Sequence, residues 1–244
     1  RAQGGDRERG VRGGLGDLVR HGAAVVQRSD AAGGGAVLRR LVRGAFAGAG
    51  GGFAFGPGDA GIDVVREILE GIEGLLFLDN AYVEFSDIDY LPLMKKHENL
   101  VLGRTFSKVH SLAGLRIGYA FTPRWLPPWY QRAGTPFTVN SVSMAAAAAA
   151  LSDTDHADRY IAQVKRWRRR FTDEVKYPVL PSDANFVMVD VAPRTGDEMV
   201  EELARKGVVV RSCRSFSGLE DHYIRASVGE DWENERFVQV INAL

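Results

Sequence analysis

Arg104-Thr105-Phe106-Ser107-Lys108 puts a lysine beside two hydroxyl side chains, and Arg116 follows within Leu112-Ala113-Gly114-Leu115-Arg116-Ile117-Gly118-Tyr119. These groups can hold a phosphorylated aldehyde by both ends. A Schiff base forms at the lysine, while the hydroxyls and the guanidinium grip the phosphate. The chemistry such a set points to is that of pyridoxal 5′-phosphate (PLP).

The set needs strands to carry it. Leu75-Leu76-Phe77-Leu78 is a continuous apolar run ending at Asp79, the pattern of a strand buried on both faces. Leu100-Val101-Leu102 is a second such run and leads into Arg104-Thr105. Residues 115–121 form a third, stopped by Pro123. Strands of this kind present ligand-binding residues at their carboxyl ends, which is where Asp79, Tyr82 and residues 105–108 stand. PLP acts as an electron sink when its pyridine nitrogen stays protonated, and the Asp79 carboxylate can supply the matching ion pair. The Tyr82 phenol can tune the Schiff base, and Lys108, once released by substrate, can carry protons. Singly, Asp79 reads as a turn cap, Lys108 as a solvated loop residue and Arg116 as an edge charge. The functional reading rests on their occurring together in one order and spacing.

The rest of the chain divides by composition. Residues 1–60 hold 17 of the 28 glycines and contain no Lys, Ile, Asn, Tyr, Trp or Met. Glycine at that density loses conformational entropy on folding and offers little to pack. Residues 1–61 therefore read as an atypical Gly/Ala/Arg-rich segment, either a flexible leader or GC-rich sequence in the wrong frame. From residue 62 the periodicity is ordinary. Asp63 caps a short helix through Glu70, a helical pattern dominates from 139 to 171, and Pro178 and Pro181 break it. Beyond lie a strand at 186–189 and an amphipathic helix from Thr195 to Lys206 closed by Gly207. Strands at 208–210 and 223–228 and a closing helix at 232–244 complete the pattern. Alternating strands and helices predict an α/β architecture, with the long helix before Pro178 as the domain junction.

From about residue 62 to the end, the sequence resembles the fold-type I PLP-dependent aminotransferases, and within them the histidinol-phosphate branch. The matching segments are Leu78-Asp79-Asn80-Ala81-Tyr82-Val83-Glu84-Phe85, the two segments around Lys108 and Arg116, and Pro136-Phe137-Thr138-Val139-Asn140. Ser182-Asp183-Ala184-Asn185-Phe186, Val210-Arg211-Ser212-Cys213-Arg214-Ser215-Phe216 and Tyr223-Ile224-Arg225-Ala226-Ser227-Val228-Gly229 match as well. The resemblance implies a mostly parallel central sheet, with part of the large PLP-binding domain over 62–177 and a small C-terminal α/β domain over 178–244. It implies that Lys108 carries the cofactor, that Asp79 pairs with the ring nitrogen and that Tyr82 bonds the 3′ oxygen. Thr105, Ser107 and Arg116 would hold the phosphate. Arg225 would take the substrate carboxylate by a bidentate fork, with Arg211 beside the substrate phosphate. No metal is expected. Asn80 stands where most relatives have Glu. The family's phosphate-binding loop and its Asn-Pro-x-x-Pro-Thr-Gly segment are not matched, and residues 55–61 occupy the place of the latter without its Asn.

The implied activity is transfer of an amino group between a phosphorylated amino alcohol and 2-oxoglutarate, in histidine biosynthesis, by a homodimer. Two alternatives stay open: decarboxylation of a phosphorylated amino acid of the threonine-phosphate type, and an inactive truncated remnant of the fold. Zero formal net charge gives no pointer to nucleic acid or an anionic membrane. Cys213, the single cysteine, excludes an internal disulfide and fits a reducing cytoplasm. No apolar run is long enough to span a bilayer, and residues 145–150 read as a packed alanine helix. The first residue is Arg1 rather than Met, and no signal-peptide pattern is visible.

Overall fold

A computed structural model describes residues 58–244, except 73, 135–136 and 217–218. Most of the atypical segment 1–61 therefore lies outside the described residues. Two compact units emerge among those described: one comprises 72–81 and 90–156, the other 58–71, 82–89 and 157–244.

The first unit holds β1 (Leu76–Asp79), β2 (Leu100–Thr105) and β3 (Gly118–Phe121), ordered β1-β2-β3. β1 and β2 run parallel, with Leu76 opposite Leu100 and Asp79 opposite Gly103. β2 and β3 are antiparallel, with Thr105 opposite Gly118. The expected mostly parallel sheet is thus mixed among the described residues. The 106–117 connection contains only a short 3-10 turn at Ala113–Leu115, with no crossover helix to carry the chain back to a parallel start. Gly118 permits the return, because a Cβ there would sit 2.6 Å from the Arg104 carbonyl oxygen. β2 is buried from residue 100 to 103, as its unbroken apolar run predicts. β1 is not buried on both faces: its residues alternate between half-buried and exposed, and Phe77 is 38% exposed. Hydropathy alone reads both faces as apolar, whereas covering the Phe77 face requires another element.

Two helices follow, α2 (Leu126–Ala133) and α3 (Ser141–Ser152). α2 is not evident from the periodicity. It begins with prolines at its first turn, where a missing N–H costs nothing. Asn140 caps α3 by accepting from the Ser143 N–H at 2.8 Å. The buried Ser143 hydroxyl donates to the Leu115 carbonyl at 2.9 Å, fastening α3 to the turn before Arg116. The alanine helix is only partly packed: Ala147 is buried, while Val142 is 69% exposed.

In the second unit, α1 (Gly58–Gly71) starts five residues before the expected cap. Asp63 instead accepts from Arg66 one turn on. α4 (Thr154–Glu174) begins in the first unit and continues through the second. It buries Val164, Trp167 and Phe171, which recur at the spacing of one helical face. The sheet is β4 (Val179–Leu180), β5 (Phe186–Asp190), β6 (Arg211–Ser212) and β7 (Tyr223–Ser227), ordered β4-β5-β7-β6 and antiparallel throughout. Phe171 of α4 meets Phe237 of α6 (Asp231–Asn242) edge-on at 5.4 Å.

α5 (Gly196–Arg205) ends at Gly207, whose φ of +80° suits glycine. The Gly207 N–H bonds to Ala204 and the Val208 N–H to Leu203, consuming the last helical carbonyls. That closure explains why 208–210 is not the expected strand: its first N–H is already committed, and pairing starts at Arg211.

At its start α5 carries a reciprocal cap. Thr195 Oγ1 accepts from the Glu198 N–H at 3.2 Å, and the Glu198 carboxylate accepts from the Thr195 N–H at 2.9 Å. Thr195→Ala should cost about 1 kcal/mol, read as a lower urea midpoint at unchanged slope. An unchanged midpoint would show that the cap contributes nothing.

Candidate active site

Of the sequence-predicted residues, Asp79, Thr105, Ser107, Lys108 and Arg116 lie in the first unit; Tyr82, Arg211 and Arg225 lie in the second.

Parallel pairing brings the first group to one sheet end. Asp79 is the last residue of β1, opposite Gly103, and Thr105 ends β2 two residues later. Residues two apart in a strand share a face, so Phe77, Asp79, Gly103 and Thr105 all belong to one face of the sheet. The Phe77 ring lies over Gly103, where an added Cβ would meet its ring tip. The exposed Asp79 carboxylate accepts from the Ala81 N–H at 3.0 Å, so the turn-capping role read from sequence is real and leaves its second oxygen as a further acceptor. Asn80 is 4% exposed, and its Nδ2 has no hydrogen-bond partner among the described residues. The sequence marks Asn80 only as a departure from the Glu of most relatives; its burial next to the strand-ending carboxylate comes from the fold.

The lysine loop is held by its backbone and a small apolar core. Thr105 Oγ1 accepts from the Ser107 N–H at 3.0 Å. The Phe106 N–H donates to Ile117, the Leu112 N–H to Phe106 and the Ser111 N–H to the Lys108 carbonyl. Phe106, Ile117 and Ala147 form a buried cluster with Leu112, Leu115 and Tyr119 packed against it. Lys108 is half-buried on this platform. Arg116 is exposed, in left-handed conformation at φ 48°, and its guanidinium donates to the Ala113 carbonyl at 3.0 Å. The turn residues Ser111 and Arg116 both take positive φ, a strained setting for non-glycine residues that recurs at functional loops.

In the second unit, Arg211 and Arg225 stand directly opposite each other across β6 and β7. Like charges so placed repel, which an anion between them would relieve. The Arg225 Nε is buried without a hydrogen-bond partner among the described residues. Both cations pull against the rise that burial imposes on the Cys213 thiol pKa. Tyr82 precedes a 3-10 turn at Val83–Phe85 and meets Phe186 edge-on. A cleft of about 520 Å³ is lined by Arg211, Arg225, Trp232 and Arg236, among others.

Comparison with known proteins adds the following. Residues 60–241 match the aminotransferase class I and II family. A histidinol-phosphate aminotransferase of Methanoculleus marisnigri is 64% identical over 180 residues, covering 74% of this chain and 51% of the relative. The chain spans about half the length of the curated relatives it matches. Among solved structures, the histidinol-phosphate aminotransferase of Sinorhizobium meliloti in complex with pyridoxal-5′-phosphate is 26% identical. It superposes with a TM-score of 0.65, over 78% of this chain and 53% of its own. The Clostridium acetobutylicum histidinol-phosphate aminotransferase shares the fold at a TM-score of 0.68 and 23% identity, over 74% and 58% of the two chains.

Beside the lysine, His110 packs on Phe106 at 5.1 Å, and its Nδ1 has no partner among the described residues. Burial, then His156, lowers its pKa below the ordinary imidazole value. The unfolded chain therefore takes up this proton first as pH falls. The contribution to stability is complete above about pH 6.5 and is lost on acidification. Thermal melts between about pH 8 and about pH 5 should show Tm falling more steeply for the native chain than for His110→Gln. Parallel curves would refute this.

Proposed function

The chain belongs to the class I and II aminotransferases, and on that premise we propose that it is a PLP-dependent transaminase acting on histidinol phosphate and 2-oxoglutarate. The observation that carries the proposal is the lysine loop at the carboxyl end of β2, beside Asp79 at the carboxyl end of the parallel β1. The substrate assignment is supported by the 64% identity to the Methanoculleus marisnigri relative.

The residues present fit the cofactor. Directly after the strand-ending Asp79, the buried Asn80 amide nitrogen lacks a partner among the described residues. When bound, the pyridoxal ring supplies the electron sink for the bond broken at the substrate's amino carbon. Lys108 would anchor the aldehyde carbon and, when displaced, hold and return the proton at its Nζ. The Asp79 carboxylate would face the protonated ring nitrogen, and the Tyr82 hydroxyl would donate to the 3′ oxygen. Thr105, Ser107 and Arg116 would bind the cofactor phosphate. Arg225 would fork onto the substrate carboxylate, with Arg211 opposite it beside the substrate phosphate.

In this reading residues 62–177 supply part of the large cofactor-binding domain and 178–244 the small domain, with α4 at the junction. We further read the protein as homodimeric and cytoplasmic, the latter in keeping with a lone cysteine. No helix among the described residues is long and apolar enough to cross a membrane.

Adding PLP to the full chain should produce an absorbance band at the violet edge of the visible, absent from Lys108→Ala and weakened in Asp79→Asn. A native chain without the band overturns the cofactor assignment. Carbon dioxide release without consumption of 2-oxoglutarate would replace transamination by decarboxylation.

A further inference from the structure

Phe186 opens β5 at 2% exposure, and its ring is contacted by two of the residues proposed to function. Tyr82 meets it edge-to-face, with centroids 5.5 Å apart and planes at 87°. The Arg225 guanidinium carbon lies 4.9 Å from its centroid. Strand register explains the second contact. Phe186 pairs with Ser227 and Met188 with Arg225, so Phe186 and Arg225 are diagonal neighbours on one face of the sheet.

Arg225 has no acidic partner among the described residues, and its Nε is buried without a hydrogen bond. Something other than a carboxylate must hold its plane. A ring face does so by cation–π attraction and leaves the in-plane N–H donors available for an incoming carboxylate. The same ring also meets Tyr82 in the geometry that aromatic quadrupoles favour. One buried side chain thus contacts both the Arg225 guanidinium and the Tyr82 ring.

We propose that Phe186 is a positioning residue: its ring sets the plane of the Arg225 guanidinium and the attitude of Tyr82, so that carboxylate binding at one is felt at the other. This rests on the reading of Arg225 as the carboxylate ligand. It adds a residue that acts through Arg225 and Tyr82 without touching substrate. Leucine or methionine at 186 would satisfy the core but hold neither partner.

The test uses the full chain with 2-oxoglutarate as the probe, its affinity measured by calorimetry. Pentafluorophenylalanine at position 186 keeps the ring's shape and removes its negative face. It should weaken binding about tenfold, and the effect should vanish in an Arg225→Lys background. Adding the probe should shift the Tyr82 ring resonances in the native chain but not in Phe186→Met. Equal affinity of native and fluorinated chains overturns the inference alone. If the native chain binds no better than Arg225→Lys, the carboxylate reading falls and the inference falls with it. If Phe186→Met does not fold, the near-isosteric fluorinated chain decides the question.

Discussion

Parallel pairing of β1 with β2 is the constraint on which the first unit depends. In a parallel pair both strands finish at the same end, so register brings Asp79 and the loop after Thr105 to one end of the sheet. One residue of slip would turn Asp79 to the opposite face. On the face of Asp79 the Phe77 ring packs over Gly103. The loop after Thr105 then needs only local support. It has that in its backbone bonds, the Phe106 cluster and the Ser143 tie to Leu115.

The second unit solves a different problem. It places two arginines, Arg211 and Arg225, directly opposite one another across β6 and β7. Antiparallel register sets their spacing, and the ring of Phe186 gives Arg225 an apolar wall that a cation can lie against. Elsewhere in the unit, arginines are paired in the ordinary way: Arg166 with Asp231, Arg194 with Glu202 and Arg214 with Asp197. Arg225 differs from these in having no acidic partner among the described residues.

Local signals were the legible ones. The continuous apolar runs at 76–78 and 100–102 mark strands, Thr195 with Glu198 marks a helix start, and Gly207 marks its end. Long-range effects were not legible. The run 208–210 has strand composition, yet its first N–H is taken by the helix cap. The Leu75-to-Leu78 run looks doubly buried, yet burial depends on what covers the Phe77 face. The antiparallel return of β3 follows from a connection too poor in helix to cross over, which apolar content does not reveal.

Residue chemistry and order in the sequence single out Lys108, Asp79, Thr105, Ser107, Arg116 and Tyr82, because reactive groups and their neighbours are covalently encoded; Arg225 and Arg211 come in only through the family resemblance. Their grouping was decided by tertiary structure: Asp79 with Thr105 through parallel register, and Arg211 with Arg225 through antiparallel register. The role of Phe186 came only from the fold, since in sequence it is one more apolar residue of a buried strand. Register and ring contact are properties of paired strands, and no single stretch of chain carries them.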